Sequence, residues 1–209
     1  GADRAPCRRR AAGVPPCASA RRARAANTLV FDGDIFADNT DGQGLLDDLS
    51  TLPGALVTGA RICLLGAGGA AAGILASLMN ARPKRVVIAN RTPARAQQLA
   101  DRHADLGRID TCAPGDLGEQ GPFDLLINAT SRGHQGSAPA LEAAWFTPGG
   151  LCYDLNYGSA AAPLKRACET ADIPYADGLG MLVGQAALSF ELWTGKRPDV
   201  SPVQRELRG

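Results

Sequence analysis

At 209 residues, with 45% hydrophobic and 21% charged side chains, the chain can bury one large core or a domain and a half. A formal net charge of +1 argues against a nucleic-acid or acidic partner, and no run of about 18 apolar residues occurs, which excludes a helical membrane span. The six cysteines, Cys7, Cys17, Cys63, Cys112, Cys152 and Cys168, follow no metal-ligand or disulfide spacing and read as reduced thiols of a cytoplasmic protein.

Residues 1–26, GADRAPCRRRAAGVPPCASARRARAA, hold seven arginines, one acid and three prolines but no Leu, Ile, Phe, Trp or Tyr. Such a stretch cannot bury a core, so irregular coil is expected. Its arginines suit an organellar transit peptide, but the prolines and the missing apolar face count against one. Order is expected from Asn27, where NTLVF reads as a strand, Asp32-Gly33 as a turn, and Ile35-Phe36 as the return of a hairpin. The polar knot Asp38-Asn39-Thr40-Asp41-Gly42 follows, and then Leu45, Leu46, Leu49 and Leu52 at helical spacing. Thr40 or Asp41 is expected to cap that helix.

The segment Arg61–Gly73, RICLLGAGGAAAG, predicts a buried strand, a phosphate loop and a helix start. Gly66 permits a sharp turn, Ala67 and Gly68 let backbone approach a pyrophosphate, and Gly69 and Ala70 open a helix whose free N–H groups attract the anion. A structural turn alone would also account for such glycines. The next strand, Arg85–Asn90, ends about two dozen residues after Gly66, where a dinucleotide-binding unit reads the ribose. An NAD enzyme carries Asp or Glu there; this chain has Asn90, Arg91, Thr92 and Arg95. An amide removes repulsion from a 2′-phosphate, while two guanidiniums and a hydroxyl can bind it, so the expected cofactor is NADP.

Pro93 starts the following helix, Gly107–Thr111 is a weak strand, and Phe123–Ile127 a stronger one. The strand ends in Asn128-Ala129-Thr130-Ser131, which places Thr130 where open α/β sheets bind ligands. Leu151–Leu155 is the next strand, Ala161–Ala171 a helix, and Met181 to about Trp193 a long helix after Asp177-Gly178-Leu179-Gly180. Alternating strands and helices argue for an α/β fold with a doubly wound parallel sheet.

The strings NTLVF, DNTDG, LLGAGGAA, ANRTPARA, INATS, CYDLNY and DGLGMLVGQAALSFELW resemble, in order and spacing, those of the shikimate dehydrogenase family. That resemblance runs from Asn27 to the C-terminus. It implies NADPH-dependent reduction of 3-dehydroshikimate to shikimate in aromatic amino acid biosynthesis. It also implies Asp41 as a catalytic aspartate, working beside a lysine, and Asn27, Asp41, Tyr157 and Gln185 as substrate ligands. Gly66–Ala70 match the pyrophosphate loop, Asn90–Arg95 the 2′-phosphate clamp, and Leu155, Gly178 and Met181 the nicotinamide platform. Met181 as plain core and Tyr157 as a packed aromatic are the alternatives. The resemblance divides the chain into an irregular segment (1–26), a substrate-domain remnant with a linking helix (27–54), an NADP-binding Rossmann domain (55–177) and C-terminal helices that pack on the substrate domain (178–209).

The family's Ser-x-Ser and lysine-bearing motifs are not in this sequence, whose lysines are Lys84, Lys165 and Lys196. Two functions are therefore carried forward: a shikimate dehydrogenase, or its quinate-using relative, without its proton-transferring lysine, and a non-catalytic NADP-binding module. The helices that begin at Asp41 and carry Gln185 are expected to expose apolar faces unless another surface covers them, and such patches invite self-association or instability, with a homodimer as the candidate form.

Overall fold

The structure, a computed structural model, describes residues 17–32 and 34–209. In chain order its elements are α1 (Ala18–Ala23), β1 (Thr28–Asp32), β2 (Asp34–Asp38), α2 (Asp41–Leu49), β3 (Arg61–Leu65), α3 (Gly69–Asn80), β4 (Arg85–Ala89), α4 (Pro93–Asp101) and β5 (Ile109–Cys112). There follow α5 (Leu117–Gln120), β6 (Phe123–Asn128), β7 (Phe146–Asp154), α6 (Ala162–Thr170), β8 (Tyr175–Asp177), α7 (Leu179–Thr194) and α8 (Ser201–Arg208).

Continuous apolar runs make the central strands, because each strand is covered on both faces. Ile62 and Leu64 of β3 enter one core with Val86, Ile88, Leu125, Ile127, Tyr153 and the inner faces of α2, α3 and α4. Their neighbours Cys63 and Leu65 point the other way, to Val87, Leu126, Cys152, Leu164 and Cys168. The sheet is entirely parallel, in the order β5-β4-β3-β6-β7-β8. The chain reverses its direction of growth between β3 and β6, and open sheets bind ligands outside the carboxyl ends of the strands at that point. The hairpin β1–β2 is a separate antiparallel pair, from Thr28 opposite Asp38 to Asp32 opposite Asp34; Gly33 of its expected turn lies outside the described residues.

Three expectations need correction. Irregular coil through residue 26 gives way to α1, and residues 1–16 lie outside the described residues. Ala20 and Ala23, three apart on α1, are both buried, and the helix is tied by Cys17 N–H to the Ala37 carbonyl (3.0 Å), by Ser19 Oγ to Asp38, and by a bidentate Arg22–Asp105 ion pair (2.8 and 2.6 Å). Alanine's helix propensity and these ties outweigh a composition that would leave the segment unfolded on its own. Capping of α2 also differs, because neither the Thr40 nor the Asp41 side chain caps it; Asn39 Oδ1 accepts the Asp41 N–H at 3.1 Å. Finally, α2 does not expose an apolar face: Leu45 and Leu49 are buried between α3 and α7. On these two helices the exposed large apolar side chains are Phe190 and Trp193, at the far end of α7.

Glycines set how closely α2 and α7 cross. A Cβ on Gly44 would stand 2.7 Å from the Gln185 backbone nitrogen, and one on Gly184 would stand 3.3 Å from the Gly44 carbonyl oxygen. The two backbones meet because neither position has a side chain, and that contact brings the start of α2 to the middle of α7.

Candidate functional site

A cavity of about 220 Å³ opens where these elements meet, lined by Asn27, Asp41, Leu155, Tyr157, Gly178, Met181, Leu182 and Gln185. It is smaller than the roughly 300–1,000 Å³ of ordinary ligand pockets, so it encloses part of a ligand rather than all of it. Each wall has a structural cause. Asn27 immediately precedes β1, Asp41 begins α2, Leu155 follows β7 at the carboxyl edge of the sheet, and Gly178 to Gln185 form the first turns of α7.

The polar side of the cavity is already organised. Asn27 Nδ2 donates to Asp41 Oδ1 at 2.8 Å and to Gln185 Oε1 at 3.2 Å, while Asn27 Oδ1 accepts the Thr40 N–H at 3.1 Å. Gln185 Nε2 donates to the Leu182 carbonyl at 3.1 Å. On the α3 side, a Cβ at Gly73 would stand 2.9 Å from Asp41 Oδ2, so the carboxylate packs against a bare stretch of helix. Burial pushes the Asp41 carboxyl above its ordinary range, and the Asn27 hydrogen bond opposes that in part. Among the described residues no lysine, arginine or histidine lines the cavity.

Below this wall, Tyr153 hydroxyl donates to Asp48 Oδ2 at 2.6 Å, and a Cβ on Gly180 would collide with the same carboxylate. The pair therefore fastens the far end of α2 to β7 and to the first turn of α7. Burial raises the Asp48 carboxyl above its usual range, with the Tyr153 hydrogen bond acting the other way, and burial beside Asp48 raises the Tyr153 hydroxyl.

The sheet side is held by a buried carboxylate. Asp154 Oδ1 accepts from Asn128 Nδ2 (2.9 Å), Asn156 N–H (3.1 Å) and Asn156 Nδ2 (2.8 Å). Asn156 Nδ2 also donates to the Thr130 carbonyl at 3.0 Å, and Leu155 N–H donates to the Asn128 carbonyl at 2.9 Å. This knot joins the loops after β6 and β7, so it fixes where Thr130 and Leu155 stand. Asp154 is pushed up by burial, and its donors act in the opposite sense.

The glycine loop stands beside this knot rather than in the cavity. Gly66 has φ +103°, which an L side chain rarely adopts, and a Cβ there would come within 3.1 Å of the Ala129 carbonyl oxygen. Gly68, the N-cap of α3, makes no side-chain cap, and open space lies in front of Gly68 and Gly69. Ala67 is half-buried and Ala70 exposed. At the end of β4, Asn90 Nδ2 donates to the Thr92 carbonyl at 2.8 Å and shapes the turn into α4, leaving Arg91, Thr92 and Arg95 exposed. Among the described residues neither guanidinium is in an ion pair. A dinucleotide phosphate chain fits these uncapped N–H groups, and a 2′-phosphate fits the two unpaired cations.

Of the residues expected from the sequence, Asn27, Asp41, Leu155, Tyr157, Gly178, Met181 and Gln185 share the cavity, while Gly66–Ala70, Asn90–Arg95 and Thr130 lie along the neighbouring strand ends. Leu182 was missed, although it stands three residues before Gln185, one helical turn away on the same face. Polar residues from Asn128 on were expected at the ligand-binding edge, but the network that Asp154 makes with Asn128 and Asn156 was missed, because a buried polar knot leaves no periodic signal. Among the described residues no three His, Cys, Asp or Glu side chains converge as a metal site.

Comparison with known proteins adds a family. Residues 52–134 match the shikimate / quinate 5-dehydrogenase family and residues 178–208 the shikimate 5'-dehydrogenase C-terminal domain. A shikimate dehydrogenase (NADP(+)) of Methylococcus capsulatus is 50% identical over 187 residues, covering 88% of this chain and 67% of that protein. One of Acidovorax ebreus is 47% identical over 190 residues, covering 89% and 67%. The Thermus thermophilus shikimate 5-dehydrogenase solved with NADP(H) and shikimate superposes with a TM-score of 0.78 at 32% identity, covering 92% of this chain and 71% of that one.

Proposed function

The chain belongs to the shikimate dehydrogenase family, and from that premise we propose that it serves the NADPH-dependent reduction of 3-dehydroshikimate to shikimate in aromatic biosynthesis. It spans about two-thirds of the curated relatives it matches. The observation that carries the reading is one cavity lined both by the polar Asn27, Asp41 and Gln185 and by Leu155, Gly178 and Met181. One wall offers hydrogen bonds to a polyhydroxylated ring and the other lies at the carboxyl ends of the strands.

The uncapped start of α3 at Gly68 to Ala70 would take the pyrophosphate of NADP, with Gly66 and Ala67 making the turn, and Arg91, Thr92 and Arg95 would take its 2′-phosphate. When bound, the nicotinamide supplies a hydride. Leu155, through its backbone, Gly178 and Met181 would form the surface on which that ring rests. Met181 packs against the core but stays half-buried where it lines the cavity, and Tyr157 lines the same cavity and is exposed, which supports a ligand-facing role for both.

Asp41 handles the proton. Its Oδ1 is held by Asn27, and its raised proton affinity lets it hold a proton closer to neutrality than a free aspartate. In the reduction it would give that proton to the oxygen whose carbon receives the hydride, and in the reverse direction take it back from the hydroxyl. Gln185 keeps one Nε2 proton free for a second hydroxyl, since the other is donated to Leu182.

A second reading, an NADP-binding module without turnover, is favoured because among the described residues no lysine lines the cavity, and loss of a general acid typically lowers rate about a hundred- to ten-thousand-fold. One experiment separates the two: thermal shift on titration with NADP, with NAD as control, beside a shikimate-dependent NADPH absorbance assay. Selective stabilisation by NADP with turnover supports the enzyme, and stabilisation without turnover supports the module. Equal stabilisation by NAD and NADP would sink the assignment of the arginine clamp.

A further inference from the structure

Two hydroxyl groups beneath the polar wall have no part in the chemistry above. Thr28 on β1 and Ser189 on α7 are 0% and 4% exposed, and their oxygens lie 2.5 Å apart. Thr28 Oγ1 also reaches Asn27 Oδ1 at 2.9 Å. We propose that Thr28 and Ser189 are positioning residues. They form a one-way hydrogen-bond chain, Ser189 to Thr28 to Asn27, that holds the Asn27 amide so that its NH₂ group clamps Asp41 for the ligand. The proposal deepens the function above and rests on the roles given there to Asn27 and Asp41.

Proton counting sets the direction. Each hydroxyl has one proton to give. Asn27 Oδ1 must face donors, because the Thr40 N–H points at it and cannot do otherwise. A flipped amide would press two N–H groups together there and set an oxygen against Asp41 Oδ1. Asn27 Oδ1 has two hydroxyls in reach, Thr28 at 2.9 Å and Thr40 at 3.2 Å, and Ser189 Oγ reaches the Gln185 carbonyl at 3.0 Å as well as Thr28 at 2.5 Å. The shorter contact of each pair wins, so Thr28 gives its proton to Asn27 and receives that of Ser189. The Thr40 hydroxyl is left to donate to the Gln185 carbonyl at 3.0 Å. The Thr40 N–H fixes the sense of the amide, and the two buried hydroxyls fix its place. Donors aligned in series within a buried site strengthen one another, so the pull on Asp41 at the end of the chain exceeds that of an isolated amide. The chain also links three elements, β1, the start of α2 and α7, at the one point where their side chains must agree.

Thr28→Val removes the hydroxyl and keeps the shape, Thr28→Ser keeps the hydroxyl, and Ser189→Ala removes the upstream donor. The direct readout is the Asn27 side-chain NH₂ signal in nitrogen–proton NMR of the ligand-free chain, with equilibrium binding of shikimate and of NADP measured alongside. In Thr28→Val the Asn27 signals move toward solvent-exposed values, shikimate binds about five- to tenfold more weakly, and NADP affinity stays within about twofold of wild type. Thr28→Ser restores both properties, and Ser189→Ala falls between. Unchanged Asn27 signals in Thr28→Val, or equal damage from Val and Ser, would overturn the proposal, the second outcome marking methyl packing instead of the hydroxyl. Should Thr28→Val not fold, Ser189→Ala carries the test, and unchanged Asn27 signals there have the same force. A wild-type chain that binds no shikimate would count against the function above, whereas the Asn27 signals judge the hydroxyl chain without any ligand.

Discussion

A carboxylate buried without a cation beside it is costly to keep charged, and Asp41 is such a group. Its folded-state affinity for a proton lies above the unfolded value of about 3.9. Below that value both states hold the proton and folding costs nothing extra; as pH rises through the folded value, the folded chain must hold a buried charge and stability falls. Asp41→Asn should therefore raise the melting temperature by a few degrees at pH 8, with the gain shrinking toward pH 4, while shikimate binding is lost. Paired thermal melts at the two pH values check this, and a loss of stability at pH 8 would contradict it. The arginine clamp gives a second residue-scale test. Arg91→Ala with Arg95→Ala removes charge-assisted hydrogen bonds worth about 1.5–3 kcal/mol each. NADP affinity should fall by at least roughly tenfold with NAD affinity unchanged, as read by calorimetric titration.

At the scale of elements, the crossing of α2 and α7 decides whether a site exists. Gly44→Ala sets a Cβ 2.7 Å from the Gln185 backbone nitrogen, and since neither backbone can yield alone, the helices must part. Overpacking of this kind costs about 1–3 kcal/mol. The expected result is a lower melting temperature and weaker shikimate binding with NADP affinity retained; an unchanged shikimate affinity would remove the crossing from the account. The same scale shows what the sequence could and could not reveal. Strands β3, β4 and β6 were legible because parallel strands covered on both faces must be continuously apolar. The three residues of β8, all half-buried, carry no such run, and α1 was hidden by arginines around its two buried alanines. Asn27 and Gln185 lie 158 residues apart, and no periodicity joins them; family motifs named them. Thr28 and Ser189, 161 apart, had neither a motif role nor a spacing to disclose them.

For the whole molecule, the uncovered apolar surface is the feature that solution behaviour should report. Phe31 and Ile35 face each other across the hairpin at 72% and 65% exposure, and Trp193, 57% exposed, donates its indole N–H to the Leu29 carbonyl nearby at 2.9 Å. Exposed aromatic and branched side chains in one region bind apolar dyes and draw chains together. Phe31→Ser with Trp193→Ser should lower dye fluorescence and concentration-dependent association, both read by sedimentation in parallel with dye titration, and leave NADP affinity as it was. Association that persists in the double variant would place the contact elsewhere.

The Tyr153–Asp48 contact has a consequence for how a ligand comes and goes. Helix α2 is pinned at its start by the Asn27 amide and at its far end by the Tyr153 hydroxyl, with Gly44 locked against α7 between them. A rod fastened at both ends cannot swing, so the wall bearing Asp41 is a fixed jamb and not a door. A ligand seated against Asp41 meets a wall held by side-chain contacts at both ends, and its dwell time should follow the bonds it makes there.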